Sequence, residues 1–231
     1  MRYIFLFLLV VNGLLLSAQR SLEGGVLAGG LYYLGDVNLG KQFHSTKLGG
    51  GLFVRQNLNK RWAVRANFLM GNLAADDKAS SYTYQKIRDY HFNTPLMEIV
   101  AQAEFNFLPY KLGYTLVDNP FTPYFATGLG FFLVSNSIQP YNISIPLSVG
   151  AKFELLENLE IGLEWSFRKT FTDYIDNLSG KEYDLKSMKP SNSLVNRQLA
   201  SFYTKDWYSF AGIFITYKIF QRRSVCKAYD F

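Results

Sequence analysis

The sequence predicts an all-β fold: an eight-stranded antiparallel transmembrane outer-membrane β-barrel with short periplasmic turns and longer outer loops. Apolar and polar residues alternate from Ile143 to Leu155 and again from Leu159 to Thr170. A period of two indicates strands, because successive side chains of a strand point to opposite faces. Soluble strands usually hold about 5 or 6 residues, whereas a tilted strand needs about 9 to 11 residues to cross a bilayer. The length of both segments therefore favours a membrane barrel.

The composition agrees with a barrel that contacts lipid on its outer face. Aromatic residues make up 17% of the chain, including 16 Tyr and 20 Phe, as expected if aromatic girdles line both membrane interfaces. Mean hydropathy is only -0.01, because polar residues facing the lumen offset the apolar ones facing lipid. The basic residues behind the formal net charge of +6 are dispersed, so we expect no nucleic-acid partner.

The first residues predict an export signal. A basic start at Arg2 precedes a mainly apolar run at 3–16, and Ser17 and Ala18 complete a small-residue cleavage site. The apolar run is shorter than the roughly 20 residues of a membrane-spanning helix. We therefore expect residues 1–18 to be a cleaved signal peptide, 19–220 to form the barrel domain and 221–231 to form a C-terminal tail.

Alternation along the rest of the chain predicts the other strands and their connections. The pattern does not assign faces to the first, fifth and eighth strands, and in the eighth both rows are largely apolar. An even number of strands places both chain ends on one side of the membrane, which we expect to be the periplasm. Strands are expected at 22–34, 47–56, 61–71, 91–107, 122–135, 143–155, 159–170 and 207–220.

The connections are expected to differ in length between the two sides. The longer ones, at 35–46, 72–90, 136–142 and 172–206, are predicted to be outer loops. The connection at 108–121 is a long periplasmic turn, and either a periplasmic contact site or simple variation in turn length explains it.

Charged residues fall on the rows that are predicted to face the lumen. An eight-stranded barrel is only wide enough for its own side chains, and unpaired charges there would be costly. We therefore expect these residues to interlock as a polar network that fills the lumen, with a selective pore or a buried active site as the alternative. The network comprises Arg65, Glu98, Glu104, Lys152, Glu154, Glu160, Glu164 and Arg168, and Arg55 also faces inward.

Catalytic and metal motifs are weak in this sequence. His44 and His91 are the only histidines, and His44 beside Ser45 or His91 beside Asp89 is the sole candidate for a general base at the outer rim. The acids at 72–77 and 172–176 lack the spacing of an EF-hand. We expect no catalytic residue, cofactor, metal or small-molecule substrate.

Short motifs recur in a specific order: GLYYLGDV at 30–37, ADD at 75–77, EFNF at 104–107, FTPY at 121–124, FTDYID at 171–176 and DWYSFAG at 206–212. Together they resemble the DUF6089 family of PorG-type outer-membrane barrels from the type IX secretion system of Bacteroidota. The resemblance covers most of the chain after the signal peptide. It implies a non-enzymatic part of a protein-export and gliding-associated machine that contacts a periplasmic ring of the lipoprotein PorK and its partner PorN.

The tail departs from the family pattern, because members tend to carry a further tail cysteine, whereas Cys226 is the only cysteine here. An internal disulfide is excluded, and an intermolecular one stays open. Our hypothesis is that the tail anchors the barrel to the ring through Cys226 and the basic residues Arg222, Arg223 and Lys227. A disordered terminus with an idle thiol is the alternative.

Two other functions remain as alternatives. A surface adhesin would use the long loop at 172–206, which contains Tyr183, Phe202 and Tyr203. A lipid-modifying enzyme would use the rim histidines.

Overall fold

The computed structural model describes residues 21–35, 37–38, 41–77, 90–110, 119–135, 137, 139–156, 158–172, 175–176 and 206–221. The predicted eight-stranded antiparallel barrel is confirmed, because each strand pairs with its sequence neighbours and the first pairs with the last. Among these residues, no helix has the length and apolar character needed to cross a membrane. The strands are β1 (Ser21–Leu34), β2 (Lys47–Asn57), β3 (Trp62–Asp76), β4 (His91–Asn106), β5 (Phe121–Val134), β6 (Tyr141–Leu156), β7 (Leu159–Thr170) and β8 (Trp207–Gln221).

Strand β3 is longer than predicted, while the other strands begin and end within two residues of the expected positions. The segment 72–76 was expected to be loop, but it pairs with the first residues of β4, from Pro95 to His91. Leu73 and Ala75 are buried in the interior apolar cluster against Phe92. This burial explains the longer strand, and it places Asp76 in the sheet and not in a turn.

The two ends of the barrel differ in the length of their connections. At the terminal end, β1 begins and β8 ends, and the connections span 58–61, 107–120 and 157–158. At the loop end, the connections span 35–46, 77–90, 135–140 and 171–206. The loop end therefore has the longer connections except for 107–120, which is the long turn that the sequence indicated.

The outer wall is apolar around the barrel. Outward side chains such as Leu52, Ile99 and Leu163 are each more than half exposed. Aromatic pairs lie towards both ends, with Trp62 and Phe105 at the terminal end (ring centroids 4.9 Å apart) and Phe131 and Tyr141 at the loop end (6.2 Å). Exposed apolar residues on this scale, bounded by aromatic residues, form the surface of a barrel that is embedded in lipid.

The interior is divided into an apolar half and a polar half. Towards the loop end, an apolar cluster that includes Leu31, Leu69, Phe132 and Phe210 fills the lumen. Charged and amide side chains fill the terminal half. Phe53, Tyr124 and Phe214 form a smaller apolar cluster beside the charged side chains Arg55 and Arg65.

Candidate functional site

The terminal half of the interior contains an ion-pair cluster around Arg55 of β2. Its Nη1 atom lies 3.0 Å from Oε2 of Glu23 and 2.5 Å from Oε1 of Glu160. Its Nε atom lies 3.2 Å from Oε2 of Glu104, and the other carboxylate oxygen of Glu104, Oε1, accepts a hydrogen bond from Lys152. These side chains are fully buried. One guanidinium therefore links carboxylates from β1, β4 and β7 across the lumen.

A second cluster is built around Arg65 of β3. Its Nη1 atom lies 2.6 Å from Oε2 of Glu164, which also accepts a hydrogen bond of 2.7 Å from the Tyr124 hydroxyl. The Nη2 atom donates to Oε1 of Gln102 at 2.8 Å, and the Gln102 amide donates to Ser148 at 3.0 Å. The cluster thus joins β3 and β7 through groups on β4, β5 and β6.

Glu98 of β4 is the acceptor of a third cluster, which is closer to the loop end. Arg168 Nε lies 3.0 Å from its Oε2 atom, and the Tyr208 hydroxyl donates to its Oε1 atom at 2.7 Å. Ser144 adds a hydrogen bond of 3.1 Å. At the opposite end of the lumen, Lys218 Nζ lies 3.0 Å from Oε1 of Glu154.

Aromatic rings cover the interior cations. The Arg55 guanidinium lies 5.3 Å from the ring centroids of both Phe53 and Phe214. Lys152 Nζ lies 5.2 Å from the Tyr124 centroid. Cations over aromatic faces are stabilised where water is excluded. The lumen is therefore packed with paired charges and rings.

The structure places all eight residues of the predicted lumen network inside the barrel and distributes them among these clusters. The participants that were not identified from the sequence include the ionic residues Glu23 and Lys218 and the aromatic residues Tyr110, Tyr124 and Tyr208. Glu23 and Lys218 lie on β1 and β8, whose faces the pattern did not assign. The pairing register of β1 and β2 could have identified Glu23 as a lumen residue, since Glu23 lies opposite the inward-facing Arg55.

At the terminal end, the described part of the connection between β4 and β5 places Tyr110 beside the interior cations Lys152 and Lys218. Tyr110 is 1% exposed, its backbone N–H donates to the Lys60 carbonyl at 3.0 Å, and its ring lies 5.0 Å from Lys152 Nζ. Burial and the nearby negative charge of Glu160 raise the pKa of the Tyr110 hydroxyl, so the phenol stays neutral. The Pro120 carbonyl accepts a hydrogen bond of 2.8 Å from the Glu154 backbone. The described part of this turn therefore packs across the mouth of the barrel.

The loop end is closed around Tyr33 of β1. The Tyr33 hydroxyl donates to the carboxylates of Asp176, at 2.7 Å, and Asp206. Asp206 also accepts a hydrogen bond of 3.0 Å from the Ile175 backbone. The Tyr90 hydroxyl donates to the Asp176 carbonyl at 2.7 Å. These contacts hold the beginning and end of the 171–206 connection over the apolar half of the lumen.

The rim histidines do not assemble a recognisable catalytic group in the described chain. His91 begins β4 with an exposed side chain, and His44 lies in the β1–β2 connection beside Ser45. Asp89 lies outside the described residues. Within the part of the chain that the structure describes, no group of three or more His, Cys, Asp or Glu side chains could hold a metal ion.

The predicted signal peptide and the four predicted tail contacts lie outside the described residues. The tail contacts are Arg222, Arg223, Cys226 and Lys227.

Solved structures with a similar fold are small β-barrels. Ail, the attachment invasion locus protein of Yersinia pestis, is 10% identical, with a TM-score of 0.46, and the match covers 87% of this chain and 99% of Ail. Neisserial surface protein A is 11% identical, with a TM-score of 0.49 and the same two coverages. The N-terminal β-barrel domain of Pseudomonas aeruginosa OprF is 11% identical, with a TM-score of 0.41, and the match covers 84% of this chain and 97% of that domain.

Searching the curated proteins finds no match. The model of one family, described as a domain of unknown function (DUF6089), matches residues 1–228. The match spans all eight strands and nearly the whole chain. This protein therefore belongs to the DUF6089 family.

Proposed function

We propose that this protein is a non-enzymatic outer-membrane barrel that anchors a periplasmic assembly. One observation carries the proposal: the lumen is filled by buried ion pairs and rings, and Tyr110 and Tyr33 close its two ends. A filled barrel offers no route for a solute and no cavity for a substrate. Function is therefore assigned to the surfaces at the two ends.

The connections and the predicted export signal support an orientation of the barrel in the membrane. Bacterial barrels place short turns in the periplasm and long loops outside. The terminal end has the connections 58–61 and 157–158, and β1 begins and β8 ends there. We therefore assign the terminal end, the 107–120 connection and the tail at 221–231 to the periplasm, and the loop end to the cell exterior.

The partner is assigned to the type IX secretion machinery, as a periplasmic ring of PorK-like and PorN-like proteins. Membership of the DUF6089 family and the resemblance to PorG-type barrels support this assignment. The basic tail residues Arg222, Arg223 and Lys227 are the charged contact candidates, and Cys226 is the candidate for a covalent tie. β8, which precedes this tail in the sequence, ends at the terminal end of the barrel, where Lys218 is paired with Glu154.

Pull-down of the tagged full chain from crosslinked membranes tests the ring assignment. Ring subunits should dominate the captured proteins. Replacing Arg222, Arg223 and Lys227 by Gln should reduce their yield, whereas replacing Arg61, a basic residue of the 58–61 turn, by Gln should not. Capture without ring subunits would overturn the proposal.

Non-reducing gels test the covalent tie separately. A high-mass species containing this protein should disappear in Cys226→Ala and on reduction. If every high-mass species persists in Cys226→Ala, the tie does not exist, although a non-covalent anchor would survive this result.

A surface adhesin is the second candidate. The observation in its favour is that Asp176 and Asp206 tie the two ends of the longest connection to Tyr33, so this outer segment has a fixed base. Deletion of residues 181–195 discriminates between the two functions. An adhesin should lose surface binding, whereas a ring anchor should keep its ring subunits.

A further inference from the structure

Part of the β1–β2 connection folds over the outside of the barrel. Residues 41–46, which we call the strap, contact the outward side chain of Tyr32, and Tyr32 and its sheet neighbour Ser209 are both fully buried. The Tyr32 hydroxyl accepts a hydrogen bond of 2.7 Å from Trp165 Nε1 and donates one of 2.8 Å to Gln42. The Phe43 ring stacks on Trp165, with centroids 5.9 Å apart and planes 25° apart. The wall of β7, β8 and β1 therefore carries a second layer near the loop end.

The backbone of the strap is strained to make these contacts. Phe43 has a φ of 59° and Ser45 a φ of 51°, in the left-handed region that non-glycine residues rarely adopt. Gly30 on the wall lets the strap approach, since a Cβ atom there would lie 2.4 Å from Thr46 Cγ2. Phe43 nonetheless remains 55% exposed. The strap thus presents an aromatic ring to the surrounding lipid instead of hiding it.

A cation lies at the edge of the same wall. In the sheet register, Phe167, Ser209 and Tyr32 form one outward row, and Lys169, Trp207 and Leu34 form the next row towards the loop end. Lys169 is exposed, and its Nζ atom lies 5.8 Å from the Trp207 ring centroid. The outward rows of β7, β8, β1 and β2 contain no Asp or Glu among the described residues.

We infer that this wall binds a phosphorylated lipid of the outer leaflet, with Lys169 contacting the phosphate and Phe43, Trp165 and Trp207 contacting the acyl chains. Charge complementarity selects this occupant, because an ammonium group at a membrane interface attracts anionic headgroups. Aromatic rings are favoured at the same depth. A lipid of the lipid A type has both a phosphate and several acyl chains. The inference rests on the proposed orientation but not on the type IX role.

Native mass spectrometry of the detergent-solubilised full chain tests the site. The probes are bisphosphorylated lipid A and its fully dephosphorylated form. The wild type should retain the phosphorylated probe better, and Lys169→Gln should weaken that retention roughly tenfold, as expected for loss of one charged hydrogen bond. Phe43→Ala should weaken retention of both probes. Inorganic phosphate should not displace the lipid, since it lacks the acyl chains.

Lys47→Gln is the matched control. It removes the same charge at the same end of the barrel from an exposed residue that is not on the outward wall, because Lys47 pairs with the inward-facing Leu31 in the β1–β2 ladder. Equal loss in Lys47→Gln and Lys169→Gln would overturn the site, as would equal retention of the two probes or no change in Lys169→Gln. Migration of unheated samples on gels checks that each variant is folded. Ring capture in the same variants should be unchanged, so failure of this site is distinguishable from failure of the proposed function.

Discussion

Arg55 of β2 and Glu160 of β7 lie 2.5 Å apart, from Nη1 to Oε1, although three strand-to-strand steps separate their strands around the barrel. The contact therefore crosses the lumen. Burying charges is costly, and their mutual attraction compensates only when geometry and hydrogen bonding are good. Among the described residues, the interior ion pairs join six carboxylates to five cations, which is one carboxylate more than the number of cations.

Removing the central cation should destabilise the barrel strongly. In Arg55→Met, Glu23, Glu104 and Glu160 lose a shared partner, and breaking a buried ion pair from one side costs about 3 to 5 kcal/mol. Urea unfolding in lipid vesicles, followed by tryptophan fluorescence, measures the change in the free energy of unfolding.

Glu23→Gln is the matched control for Arg55→Met. It removes one negative charge and leaves Glu160 and Glu104 on the guanidinium, so the free energy of unfolding should fall by less than in Arg55→Met, where three carboxylates lose their partner. Equal unfolding midpoints for Arg55→Met and the wild type would show that the network does not hold the barrel together.

The closed lumen should not conduct ions. Planar bilayers containing the wild type should show no steady channel current, because interior side chains fill a barrel of eight strands. Tyr110→Ala should also stay closed, since the Arg55 cluster lies behind Tyr110. Steady current from the wild type would contradict a filled lumen, while current from Tyr110→Ala alone would make Tyr110 the principal barrier.

The strap should depend on glycine at position 30. Gly30→Val places a branched side chain where Thr46 Cγ2 lies 2.4 Å from the Cβ position, so the strap should be displaced. The expected result is faster tryptic cleavage after Lys41. Gly24→Val is the control, because its Cβ would lie 3.0 Å from the flexible end of Ile219. Equal cleavage rates in the two variants would show that the strap does not need this close approach.

The sequence predicted strands best where one row faces lipid and the other faces charged groups. On β6 and β7 the two rows differ sharply, and Lys152, Glu160 and Glu164 mark the inner face. Glu23 and Lys218 were missed because β1 and β8 also face the apolar half of the lumen. Inward residues such as Leu31 and Phe210 are as apolar there as the outward ones. The alternation of apolar and polar residues therefore does not show which side chains of β1 and β8 face the lumen.

Features that depend on tertiary contacts could not be predicted from periodicity. The extension of β3 is stabilised by burial of Leu73 and Ala75 and by pairing with β4. The strap needs positive φ angles at Phe43 and Ser45. Neither residue is a glycine, so the local sequence does not indicate these angles. Tyr110 is buried beside Lys152 at the terminal end of the lumen. From its length, the turn that contains Tyr110 was predicted to be either a periplasmic contact site or simple variation in turn length.

Two buried serines should respond in opposite ways to alanine substitution. Ser209 Oγ, opposite Tyr32 in the β1–β8 ladder, has no hydrogen-bond partner in the described part of the chain. Ser148 Oγ forms hydrogen bonds with Ser166 at 2.7 Å and with the Gln102 amide at 3.0 Å. Removing an unpaired buried hydroxyl is neutral or stabilising, whereas leaving buried partners unsatisfied costs about 1 to 3 kcal/mol.

Urea unfolding therefore distinguishes the two substitutions by the direction in which the unfolding midpoint moves. Both substitutions delete a serine Oγ atom from a strand of the barrel. Ser209→Ala should unfold at the same or a higher urea concentration than the wild type, and Ser148→Ala at a lower one. A loss of stability in Ser209→Ala as large as that in Ser148→Ala would mean that the Ser209 hydroxyl has a partner on the outer wall. In that case a hydrogen bond of Ser209 would add to those that the Tyr32 hydroxyl forms with Trp165 and Gln42 on this wall.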